Sequence, residues 1–122
     1  MLKICLLSLF TSAAFCAVEG TYTGSGTDPY EKTTYTVTAT FTKDKNGVYQ
    51  VTWDEMEKGK KFLYKGTGLE QNGLISFVFQ NAEDNTDIGI QVYKINGDTL
   101  EGRYVEFNKN LVGDEKLSRS KK

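Results

Sequence analysis

The sequence predicts an all-β chain, a single antiparallel up-and-down barrel of about eight short strands. Three observations carry this expectation. Asn46-Gly47, Asn72-Gly73 and Asn96-Gly97 stand 26 and 24 residues apart, each interval long enough for two strands and a return loop. Asn and Gly tolerate the positive φ of a type I′ turn, so Asn-Gly between alternating apolar runs signals a hairpin. Period-two alternation recurs between those turns, and no segment sustains a helical period. Eight consecutive antiparallel strands make the eighth run opposite to the first, so the two can pair and remove both exposed edges.

Residues 1–16 fall outside the expected barrel. Lys3 supplies a positive start, Ile4 to Phe10 a short apolar run, and Ser12, Ala13, Ala14, Cys16 and Ala17 the small residues of a cleavage region. The apolar run is too short to span a bilayer, so the expectation is a signal peptide cleaved before Ala17, with no transmembrane segment afterwards. Cleavage before Phe15 is the alternative. Phe15 occupies a position that a lipoprotein signal keeps small, which argues against lipid anchoring at Cys16. Both cysteines of the chain, Cys5 and Cys16, lie in this leader. The mature part therefore has no disulfide to support it, and packing and strand closure must hold it together.

The strands follow in order. Residues 18–26 supply the first, with Tyr22 between Gly20 and Gly24. Residues 34–42 show the clearest alternation: Tyr35, Val37, Ala39 and Phe41 face one way and five threonines the other. After a turn at residues 44–47, Tyr49, Val51 and Trp53 form the third strand. Phe62 and Tyr64 with Gly66 and Gly68 form the fourth, and Ile75, Phe77 and Phe79 the fifth. Ile88, Ile90 and Val92 alternate in a sixth, Leu100, Gly102 and Tyr104 in a seventh, and residues 111–117 give a weaker eighth. The barrel domain is thus expected over residues 17–117, with a flexible basic tail at 118–122. Glycines within strands, such as Gly66, Gly68, Gly89 and Gly102, permit the coiling that closes a small barrel.

This topology separates two ends. The Asn-Gly turns share one end, expected to be tight. Residues 27–32, 54–60, 81–87 and 108–110 collect at the other, where longer polar connections favour binding. Tyr30, Trp53, Glu55, Glu57 and Asp84 are the candidate contact residues of that loop end.

The opening Gly20-Thr21-Tyr22, the mid-chain Tyr64-Lys65-Gly66-Thr67-Gly68 and the late Leu100-Glu101-Gly102-Arg103-Tyr104 after Asn96-Gly97 resemble motifs of small exported bacterial lipocalin-like and avidin-like barrels. The resemblance spans residues 18–117 and implies a scaffold rather than an activity, since most of those proteins have none assigned.

The chemistry of the chain excludes several classes. It has no histidine, which rules out Ser-His-Asp and Cys-His systems, and no mature cysteine, which rules out thiolate chemistry. Asp54, Glu55 and Glu57 are carboxylates in proximity, read as a solvated acidic loop balanced by Lys58, Lys60 and Lys61. Residues 83–87 fit a calcium loop poorly. No metal and no cofactor are expected. The 15 basic residues fall to 14 without Lys3, against 16 acidic ones, and no basic patch suggests nucleic acid. The expected function is an exported, secreted or periplasmic, non-enzymatic barrel for a small apolar or amphipathic ligand. The alternative is a surface or periplasmic interaction module, such as an adhesion or matrix-binding protein or a hydrolase inhibitor.

Overall fold

The computed structural model describes residues 18–120, so the expected signal peptide lies outside the described residues. Eight strands follow one another: β1 (Gly20–Asp28), β2 (Thr33–Lys43), β3 (Tyr49–Glu57), β4 (Lys60–Gln71), β5 (Leu74–Asn81), β6 (Asp84–Asn96), β7 (Thr99–Glu106) and β8 (Gly113–Arg119). Each pairs antiparallel with the next, and β1 pairs with β8 from Tyr22↔Arg119 to Gly26↔Glu115, closing an up-and-down barrel. All-β meander architecture is as the alternation predicts. Closure leaves no sheet edge, so every strand has hydrogen-bonding neighbours on both sides.

The interior is aromatic. Tyr22, Phe41, Tyr49, Ile75, Phe77, Tyr93, Leu100 and Leu117 are fully buried and fill the half of the barrel nearest the Asn-Gly turns. Phe41 meets Tyr22, Phe77 and Tyr93 at ring separations of 5.2, 5.7 and 6.0 Å, two of them edge to face. The same end is closed from outside by Arg119, whose guanidinium lies 4.8 Å from the Tyr22 ring centre and donates to Asp98 at 2.9 Å. Rings of this size fit because glycines face them in register: Gly26 opposite Tyr35, Gly68 opposite Phe77, Gly89 opposite Phe79, Gly102 opposite Tyr93 and Gly113 opposite Tyr104.

Several expectations are corrected. On β6 the inward face is Gly89, Gln91 and Tyr93, not Ile88, Ile90 and Val92; Ile90 points outward. The pairs Phe79↔Gly89, Phe77↔Gln91 and Ile75↔Tyr93 compel this, because a residue opposite a buried neighbour shares its side of the sheet. Ser118 and Arg119, expected in the basic tail, belong instead to β8, pinned through Tyr22↔Arg119.

The turn geometry also differs. Asn72 and Gly73 both have positive φ (57° and 83°), as a type I′ turn requires, but Asn46 and Asn96 do not. Asp44 folds the β2–β3 loop instead, its carboxylate accepting from the backbone N–H of Asn46 (2.8 Å) and Val48 (3.0 Å). In the β6–β7 turn Gly97 is the first central residue (φ 63°), the II′ arrangement. At the opposite end residues 54–57 are strand, not loop. There Lys58-Gly59 makes a second two-residue turn with positive φ at both positions (53° and 76°). Only the β1–β2 and β7–β8 connections at that end are long.

Candidate functional site

Alternation along β3 divides its acidic segment. Trp53, Glu55 and Glu57 share one parity and face the barrel interior, while Asp54 and Met56 face out. The expected solvated loop is therefore the upper wall of a cavity. Nine residue pairs between β3 and β4, running to Glu57↔Lys60, extend the ribbon and hold the glutamates inward.

Below them stands a hydrogen-bonded network. Trp53 is 2% exposed, and its indole N–H donates to the Tyr93 hydroxyl at 2.6 Å. Tyr93 O–H donates in turn to Glu115, and Tyr35 O–H donates to the other Glu115 oxygen at 2.7 Å. Glu115 is 4% exposed. Burial pushes its carboxyl above the usual range, and the two tyrosine hydrogen bonds pull it partly back. Burial and the adjacent carboxylate hold Tyr35 and Tyr93 far above the ordinary phenol range, so both stay O–H donors.

Above this floor lies a cavity in which the centre of a water-sized sphere can move through about 60 Å³. One water needs about 10–15 Å³ by that measure, so the space takes a small ring or a short polar group, not a lipid. Trp53, Phe79, Tyr64 and Tyr104 form its aromatic wall, and the buried polar residues Gln91 and Glu115 line it too. Pro29 and Tyr30 of the β1–β2 loop reach over it. That loop is tied to its neighbours: Tyr104 O–H donates to the Thr27 carbonyl at 2.6 Å, and the Tyr30 hydroxyl accepts from Leu111 N–H at 3.0 Å.

The electrostatics are one-sided. Asp28, Glu55, Glu57, Glu106 and Glu115 line the cavity, and no lysine or arginine among the described residues does. Burial pushes the Glu55 carboxyl up to about 9, with Glu115, Glu57, Asp87 and Asp28 adding repulsion in that order. Glu55 accordingly carries a proton at neutral pH. Glu57 is bonded by the Thr33 hydroxyl, and Asp87 accepts from Tyr64 O–H at 2.6 Å and Asn81 at 3.1 Å.

Of the five residues expected at the loop end, four meet here: Tyr30 at the rim, and Trp53, Glu55 and Glu57 on the wall. Trp53 differs from the expectation in being buried. Asp84 lies apart, in the β5–β6 hairpin, where its carboxylate accepts from Thr86 N–H (3.0 Å) and O–H (2.7 Å). Glu115, Tyr93 and Gln91 are site residues that sequence reasoning missed. Glu115 shares the parity of Leu117 in Gly113-Asp114-Glu115-Lys116-Leu117, which is the signal that could have found it. Tyr93 and Gln91 are hidden by the opposite parity that the apolar residues of β6 suggest.

No protein-family model matches this chain, and no curated protein matches it. Solved structures do match in fold. A de novo designed fluorescence-activating β-barrel aligns with TM-score 0.69 and 12% identity, over 91% of this chain and 100% of its own. EF1p2_mFAP2b, solved bound to DFHBI, aligns with TM-score 0.68 and 8% identity, over 84% of this chain and 94% of its own. Rv2717c from M. tuberculosis aligns with TM-score 0.53 and 13% identity, over 89% and 96%. At these identities the likeness is one of fold: a small eight-strand antiparallel barrel.

Proposed function

We propose that this chain is a non-enzymatic binding barrel that takes one small amphipathic molecule into the cavity at its loop end. The observation that carries this reading is the pairing of an open aromatic cavity with a filled lower half. Packing saturates the barrel from Tyr93 down, yet stops short at Trp53, where Gln91 and Glu115 offer polar atoms beneath aromatic walls. That EF1p2_mFAP2b, of the same fold, is bound to DFHBI supports a small ligand in such a scaffold. Export, secreted or periplasmic, belongs to the same reading, from the succession of residues 1–16. Intact mass of protein recovered outside the cytoplasm is expected to begin at Ala17. A species retaining Met1 to Cys16 would refute export.

Trp53 is the sole tryptophan and lines the cavity, so its emission reports on ligand directly. Small amphipathic aromatics are expected to give saturable changes that Tyr64→Ala weakens about tenfold, the loss of one buried aromatic contact. Binding indifferent to Tyr64→Ala but lost on substitution of Lys45 or Asp98, at the other end, would refute the placement.

A second reading has an observation of its own. Val78, Ile90 and Val105 are neighbours in register on the outer wall of β5–β7, and Phe107, 66% exposed, continues the stripe. An interaction module would use that wall rather than the mouth. Loss of a partner on Val78→Lys, with ligand binding intact, would support it.

A further inference from the structure

We infer that the molecule held in this cavity is an organic cation, a guanidinium or ammonium group on a small apolar body, recognised by Glu55 and its neighbouring carboxylates against the aromatic wall. The inference rests on the binding reading above and concerns the charge of its ligand.

The first ground is the lining. Five carboxyl groups and six aromatic side chains surround one small space that no lysine or arginine among the described residues enters. The nearby cations are engaged at its rim. Lys58 pairs with Glu31 at 2.8 Å, and Lys109 reaches Glu106 at 3.7 Å while lying 5.1 Å from the Tyr30 ring centre. The second ground is unmet polar capacity aimed inward. Gln91 is 4% exposed; its amide nitrogen donates to the Arg103 and Val92 carbonyls at 3.2 and 3.4 Å, and its oxygen accepts from nothing among the described residues. Glu55 has neither hydrogen bond nor ion pair among them. The Gln91 amide oxygen and the Glu55 carboxyl line the cavity with acceptor capacity to spare, and one N–H-rich cation satisfies both. Tyr64, Trp53 and Phe79 add ring faces and edges, and ring faces attract cations where water is excluded.

Every strand around Glu55 bears on its proton. Asp28 of β1, Glu57 of β3, Asp87 of β6, Glu106 of β7 and Glu115 of β8 add negative charge. Tyr35, Tyr64 and Tyr104 of β2, β4 and β7 face it as neutral phenols, and β5 contributes only Phe79. Lys58 and Lys109 stand at the rim. A cation entering this field displaces the Glu55 proton, so its affinity rises with pH until Glu55 would ionise unaided, near 9.

The test uses Trp53 emission with three probes of one shape: benzylguanidinium, its neutral isostere benzylurea, and 3-phenylpropionate. The guanidinium keeps its charge throughout, since such groups do not deprotonate below about pH 12. Benzylguanidinium is expected to bind at least tenfold tighter than benzylurea at pH 8, with the anion weakest, and to tighten severalfold from pH 6 to pH 8. Glu55→Gln is expected to abolish that pH dependence and cut the preference below threefold. The variant should melt no lower than the parent at pH 8, because it removes a buried acid without a partner. Should it fail to fold, Glu106→Gln reads the same selectivity. Equal or tighter binding of benzylurea would overturn the cation while leaving the binding reading in place. No saturable response to any of the three would overturn both.

Discussion

Gly68→Ala is expected to be among the most damaging single-methyl changes in this barrel. Gly68 lies inside β4 between Tyr49 of β3 and Phe77 of β5. A Cβ there would stand 2.0 Å from the Ser76 carbonyl oxygen and 2.6 Å from a ring carbon of Phe77. Neither neighbour can yield. The carbonyl belongs to the β4–β5 ladder, and the Phe77 ring is wedged against Trp53, Phe41 and Tyr93. In a closed barrel a shift of one strand must propagate around all eight. The expected loss is about 3 kcal/mol or more, at the upper end of overpacking costs. For a domain of this size that lowers Tm by more than about 10 °C. Gly73→Ala is the matched comparison. Nothing lies within 4 Å of its Cβ position, and the only penalty is φ of 83°. Its cost is expected to be about 1 kcal/mol. Equal melting curves for the two variants would show that interior space is not what demands Gly68.

Tyr93→Phe is expected to cost about 2–4 kcal/mol at pH 8, from two buried groups losing one partner each. The Trp53 indole N–H loses its acceptor, and Glu115 keeps only the Tyr35 hydroxyl. The pH dependence separates these losses. Burial already raises the Glu115 carboxyl in the folded protein, and the Tyr93 hydrogen bond offsets part of that rise. Without it the folded state holds the Glu115 proton to still higher pH than the unfolded chain, which releases it in the ordinary carboxylate range. Stability of the variant therefore falls as pH climbs from that range toward the raised folded value. The deficit relative to the parent should be about 1 kcal/mol at pH 4, from Trp53 alone, and should grow by pH 8. Denaturant melts at the two pH values measure it. A deficit independent of pH would mean that Tyr93 does not hold the Glu115 charge.

Part of the site is legible in the sequence. Tyr30, Glu55 and Glu57 fall at the correct end because a meander sends alternate connections to opposite ends, whatever their length. Their surroundings are harder to read. Residues 54–57 resemble a loop because three acids in four residues suggest solvation, yet the period-two parity of Trp53 continues through Glu55 and Glu57. Composition and periodicity conflict there, and the β3–β4 ladder decides for periodicity. On β6 the apolar character of Ile88, Ile90 and Val92 points them inward, whereas the barrel buries Gln91 and Tyr93 and leaves Ile90 on the outer wall.

By itself the sequence determined the β period, the strand count and the order of the hairpins. These are local properties, decided within a turn or a single strand. Only the tertiary structure decided which face of β6 is buried, that Glu115 sits beneath Trp53, and that five carboxyl groups share one small cavity. Those are facts of register. One residue of slip exchanges every inward side chain for its outward neighbour, and the register of each strand is set by partners that lie elsewhere in the chain.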